Sequence, residues 1–206
     1  NIYCEMNRSI LLLFSFFLLL NCGDKKRYQN DLTPFQKEIN DFFKDASVTP
    51  LKKRDLKTFR GLDFFTFDST YVVIAKLIKT PKEKSFKMKT TTNSFVEHIK
   101  HGIVSFELLG NTYNLNIYKN LENIDEEGYR DYLFLPFLDE TNGNESYGGG
   151  RYINLDIPQG DNIIIDFNSA FNPYCVYDEK YSCPIVPREN YLPLEIIAGV
   201  KNFVKN

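Results

Sequence analysis

The chain has 206 residues, 43% of them apolar and 25% charged, which fits an ordinary globular protein and excludes both wholesale disorder and a polytopic membrane protein. Lys and Arg total 25 against 27 Asp and Glu, a formal net charge of -2, so no global field drives it toward nucleic acid, and none is expected as a partner.

Near the N-terminus, Met6 is the better start. Asn7-Arg8 supplies a short positive region, Ile10 to Leu20 is apolar except for Ser15, and Asn21-Cys22-Gly23 closes the run. Such a stretch gives about 16 Å of helix, short of the roughly 30 Å hydrocarbon core, which marks an export signal over residues 1–21 rather than a spanning helix. Leu19-Leu20-Asn21-Cys22 resembles a bacterial lipobox, although Asn21 replaces the usual small residue. The expectation is a lipoprotein acylated on Cys22 and held in the cell envelope by the lipid bilayer, with residues 22–31 as a polar tether. An ordinary secretory signal with a coincidental cysteine is the alternative.

Residues 32–206 are expected to form one β-rich domain. Thr33 and Gln36 make a capping box around Pro34. Phe35, Ile39, Phe42, Phe43 and Ala46 then draw one apolar stripe, so a helix is predicted from about Pro34 to Asp45. The period then changes to two. Strands with one buried face are predicted around Phe86–Met88, Val104–Leu108, Tyr113–Ile117 and Ile153–Ile157, with a tight hairpin at Gly110-Asn111. Tyr71 to Ile78 is apolar on both faces and is predicted to be central. Tyr132 to Leu138 is also apolar, but Pro136 lacks a ladder donor and assigns that strand to an edge or bulge. Leu194 to Val204 is read as a last strand or short helix. Strands joined by short turns without intervening helices predict a mainly β fold, an antiparallel barrel or sandwich with one amphipathic N-terminal helix.

Unusual polar residues gather late in the chain: Asp139 to Arg151, Asp166-Phe167-Asn168, and Asn172 to Asn190. With Phe59-Arg60-Gly61-Leu62-Asp63-Phe64-Phe65 and Ala198-Gly199, these runs resemble the domain of unknown function numbered 1684, over roughly Pro50 to Lys201. The resemblance implies no activity and transfers no catalytic residue.

The residues themselves offer several readings. Asp166 and Asn168 share one strand face, either as a ligand-facing pair or as a strand end bonding loop amides. Gly148-Gly149-Gly150 before Arg151 reads as an anion approach or as a bulge. Asp139, Asn142 and Glu145 lack EF-hand spacing, no nucleotide or cofactor motif is present, and neither a metal nor a cofactor is assigned. His98 and His101 are offset onto opposite strand faces, a weak zinc pair even with Cys175 and Cys183. The binding candidates are therefore Asn142, Glu145, Tyr147, Arg151, Asp166, Asn168, Asn172 and Tyr174, with Arg151, Asp166, Asn168 and Asn172 expected to cluster. Cys175 and Cys183 are an even pair in an exported protein and are expected to be bonded; closing that loop is worth about 2.5 kcal/mol. The primary functional reading is a lipid-anchored binding or scaffolding protein for a small ligand or an envelope partner. The alternative is a hydrolase-like envelope enzyme using Glu145 or Asp166 as acid/base and Arg151 against an anionic intermediate.

Overall fold

The computed structural model describes residues 32–122 and 130–204. The export segment, Cys22 and the tether lie outside the described residues. The second of two compact units begins at Glu38 and carries the whole sheet.

Helix α1 (Pro34–Lys44) starts at the predicted capping box: the Thr33 hydroxyl accepts from the Gln36 N–H, and the Gln36 side chain accepts from the Thr33 N–H. Later in α1, Asn40 is buried and accepts from the Leu62 backbone N–H at 2.8 Å. A second, short helix, α2, spans Lys53–Thr58.

The rest is mainly antiparallel β, one curled sheet shaped as a half-barrel. Its strands are β1 (Val72–Lys79), β2 (Phe86–Lys89), β3 (Phe95–Leu108), β4 (Asn111–Asn120), β5 (Tyr132–Asp139), β6 (Arg151–Asp156), β7 (Asn162–Asp166) and β8 (Tyr191–Leu192). The order is β6-β5-β4-β3-β1-β7, with β2 added to β3 and β8 paired in parallel with β5. The β3–β4 turn puts Leu109 and Gly110 at φ 50° and 79°, a two-residue loop whose twist matches the strands.

One register shift divides the interior. Lys100 pairs with Tyr118 but Gly102 with Ile117, so His101 is the extra residue of a bulge. Beyond it, Val104, Phe106 and Leu108 join Leu115 and Ile117 in the main core with Ile165 and Phe167. Before it, Tyr118 faces a second cluster with Met88, Phe134, Tyr152 and Val186. A Cβ on Gly102 would meet the Ile78 carbonyl at 2.7 Å, which explains the glycine at this crossing.

Three elements differ from the sequence expectation. Strand β1 is internal, between β3 and β7, but only one face is buried; Ile74 is 72% and Ile78 51% exposed, because among the described residues no layer covers that side. Strand β5 is not an edge. It pairs with β6 along its length but touches the β4 ladder only at Tyr118–Phe134, so Pro136 faces a gap where no donor is needed. Asn190 fills that gap: its amide donates to the carbonyls of Asn116 and Pro136 and accepts from the Asn116 N–H, acting as an inserted peptide group. The segment after Leu194 is neither strand nor helix. It is held by side chains and by scattered backbone bonds, the Val200 N–H to the Ala170 carbonyl, the Lys201 N–H to the Asp63 carbonyl and the Phe65 N–H to the Gly199 carbonyl, with one bridge from Val200 to Phe64.

Candidate functional site

Arg151, the first residue of β6, is fully buried. Its partner is Asp139, whose Oδ2 accepts from Nη2 at 2.8 Å, and not Asp166. The same Nη2 donates to the Ile196 carbonyl at 2.8 Å, and Nη1 donates to the Ala198 carbonyl. The guanidinium lies between the rings of Phe65 and Phe137, 5.7 and 5.3 Å from their centroids. Burial pulls the Arg151 pKa down, and Asp139 opposes that pull. Burial of a charge is tolerable only when it is paired and hydrogen-bonded, and here one side chain ties the loop after β5 to the C-terminal segment.

The surrounding polar residues extend the same clasp. Asp139 Oδ1 accepts from the Thr141 N–H and hydroxyl and from the Ile196 N–H. Asn142 accepts from the Asp139 N–H and donates to Ser146, closing the loop on itself. Glu145 is exposed, and its backbone carbonyl accepts from the Asn202 N–H. Asn172 donates to the Lys201 carbonyl. Gly150, at φ 88°, lets the chain pass the Phe137 carbonyl, which a Cβ would meet at 2.5 Å. Among the described residues no three His, Cys, Asp or Glu side chains gather as a metal group.

Asp166 and Asn168 form a separate unit. Asp166 caps a 3₁₀ turn by accepting from the Asn168 N–H and side-chain amide, each at 2.9 Å. Asn168 in turn accepts from the Asp68 N–H and donates to the Asp68 carbonyl. This is a loop-to-strand-end bond, the second of the two readings given for that pair.

An accessible concavity with aromatic lining lies elsewhere, over the second cluster. It is a cleft of about 540 Å³. Its walls are aromatic: Phe134 meets Tyr152 edge-on at 4.7 Å, and Tyr152 meets Phe171 at 6.0 Å. The Tyr132 hydroxyl donates to Asn154 Oδ1 at 2.7 Å, which leaves the Asn154 amide protons for another acceptor. The Tyr152 hydroxyl donates to the Pro184 carbonyl. His98 lines the cleft with 1% of its surface exposed. Its Nδ1 lies 3.1 Å from the Val96 carbonyl, which can only accept, so Nδ1 carries the proton and Nε2 presents a lone pair. Burial lowers the His98 pKa and keeps the ring neutral at pH 7. No Lys, Arg, Asp or Glu is among the described residues that line the cleft. Tyr174, at its rim, stacks on Phe42 and meets Tyr181 edge-on.

Cys183 lines the same cleft, and Cys175 stands beside it: the Cys175 N–H donates to Cys183 Sγ at 3.2 Å. Tyr147 reaches this pair, not the Arg151 clasp. Of the sequence candidates, Arg151, Asn142 and Asn172 thus meet around the C-terminal segment, Tyr147 joins the cysteines, and Asp166 and Asn168 stand apart. Asn154, Phe134 and Phe171 carry no sequence signal for a binding role, and the sequence offers His98 only as a weak zinc ligand.

The family model described as "Protein of unknown function (DUF1684)" matches residues 57–201, and the chain belongs to that family. Among solved structures, an uncharacterised protein of Haloarcula marismortui, determined in solution by NMR, is 30% identical. The match covers 86% of this chain and 96% of that one, with a TM-score of 0.64. A search among curated proteins finds no match.

Proposed function

We propose that the protein is a lipid-anchored cell-envelope protein whose β-rich domain, residues 32–206, binds a small, uncharged, partly aromatic ligand in the cleft between His98 and Phe171. The observation that carries the binding reading is the cleft itself, of ordinary ligand-site size and aromatic lining. It offers flat rings and the Asn154 amide as donor, and no charge to pair an ionic ligand. The hydrolase-like alternative is weaker, because Arg151 is sealed against solvent by Asp139 and two carbonyls and has no access to an intermediate. The anchor is supported by the Arg8, Ile10–Leu20, Cys22 order in the sequence.

Binding is tested by titrating the neutral fluorescent probe N-phenyl-1-naphthylamine against the full chain in detergent, beside Asn154→Trp and Phe171→Ala variants in the same micelles. Asn154 is exposed, so Trp there fills the cleft without disturbing the core. Saturable enhancement that the Trp variant abolishes is expected; equal signals from all three proteins would reject the site. Membrane fractionation of wild type and Cys22→Ala tests the anchor, and a variant that stays membrane-bound and processed like wild type would reject it.

A further inference from the structure

Cys175 and Cys183 are adjacent, unequal and rigidly held. Cys183 is 7% exposed and its backbone is pinned at both ends: its N–H donates to the Thr91 hydroxyl and its carbonyl accepts from the Thr91 N–H. Cys175 is half-buried, on the 3₁₀ turn Tyr174–Val176. The Cys175 N–H donates to Cys183 Sγ at 3.2 Å, which sets the two side chains next to one another. The neighbouring Cys183 thiol draws the Cys175 pKa down, the direction that favours the thiolate. Cys183 moves the other way, raised first by its bond to Cys175 and then by burial.

We propose that Cys175 and Cys183 form a redox-active dithiol that exchanges with small-molecule or protein disulfides, Cys175 being the attacking thiol and Cys183 the resolving one. In the first step the Cys175 thiolate attacks one sulfur of an incoming disulfide. That S–S bond breaks, one thiolate leaves and takes up a proton, and Cys175 holds the other half as a mixed disulfide. Cys183 then loses its proton and attacks Cys175 Sγ; the mixed bond breaks and the second thiol leaves. The incoming disulfide is reduced by two electrons to two thiols, and the protein dithiol is oxidised by the same two electrons to the Cys175–Cys183 disulfide. Cys175 is the more exposed residue of the two, which makes it the first to meet a partner. The proposal rests on these two residues and is independent of ligand binding and of the anchor.

The test uses the full chain in detergent with site-resolved mass spectrometry, so that Cys4 and Cys22 do not enter the reading. Reduced wild type is alkylated at pH 7 over a time course, and Cys175 is expected to react at least tenfold faster than Cys183. Oxidised glutathione is then added to wild type and to Cys183→Ser. The variant is expected to trap glutathione on Cys175, whereas wild type releases it and closes the disulfide, which mild reductant reopens in the folded protein. Equal alkylation of both thiols would overturn the proposal even if the variant fails to fold. So would a wild-type disulfide that only unfolding makes reducible, since that bond is structural, or a stable glutathione adduct on wild type.

Discussion

The sharpest consequence of the fold concerns two carboxylates of similar sequence context. Asp139→Asn removes the one carboxylate paired with Arg151 among the described residues, a side chain with 0% exposure, and leaves the guanidinium buried with neutral acceptors. Breaking a buried ion pair from one side costs about 3–5 kcal/mol. The carbonyls of Ile196 and Ala198 and the rings of Phe65 and Phe137 remain as partial compensation, which argues for the lower half of that range. Asp166→Asn preserves a good capping side chain on a half-buried turn and should cost under about 1 kcal/mol. Urea unfolding followed by far-UV circular dichroism measures both, and because the Arg151 pair is buried the gap should survive raising the salt. If Asp166→Asn proves as destabilising as Asp139→Asn, the reasoning is refuted, and the pairing with Asp166 expected from the sequence regains its case.

Stability should also depend on pH through His98, whose folded pKa is held below its unfolded value of 6.5 by burial. The unfolded chain then binds more protons below that value, so stability is fully present above about pH 6.5 and falls as the pH drops toward the folded pKa. His101 acts in the same direction. His98→Gln should flatten the slope of unfolding free energy between about pH 5 and 7, and an unchanged slope counts against the buried-histidine account. Gly199→Ala should destabilise by more than about 2 kcal/mol, since φ is 80° and a Cβ would lie 2.6 Å from the Ala170 carbonyl and 2.9 Å from that of Phe167; a thermal melt within a degree of wild type would contradict this.

Much of the sheet was legible because alternation is a local property. Val104–Leu108 and Tyr113–Ile117 alternate, and each strand buries the apolar face. What was not legible depends on partners distant in the chain. Pro136 is excluded from a strand interior only while a neighbouring backbone needs its donor, and the divergence of β4 from β5, filled by an asparagine far along the chain, removes that need. The outward face of β1 is as apolar as its inward face, so no periodicity distinguished them. The candidate site shows the same division. Arg151 was recognisable as a residue in want of a carboxylate, but several acidic residues stood within reach of the argument, and nothing local separates Asp139 from Asp166. The cleft was less visible still, since Phe134, Phe171 and Asn154 are ordinary strand and loop residues until the bulge at His101 turns Tyr118 and its neighbours toward them.

That division bears on how two runs within the family match, residues 141–151 and Ala198-Gly199, are understood. The TNGNESYGGGR stretch supplies the loop that folds back on itself and the arginine that seals it, while Ala198 supplies a carbonyl that receives the arginine and Gly199 packs closely on the Phe167 and Ala170 carbonyls. These residues add side-chain bonds to the backbone bonds that hold an otherwise irregular C-terminal segment against the sheet. A structural role of that kind says nothing about a ligand. The chemistry near the cleft is of another type: a buried neutral histidine, a hydrogen-bonded Tyr132–Asn154 pair, and two cysteines whose surroundings differ. Cys183 belongs to both arrangements, as a wall of the cleft and as the buried member of the thiol pair. Closing a bond from Cys183 to Cys175 would therefore alter one wall of the cleft, and a change in probe affinity between reduced and oxidised protein follows directly from that shared position.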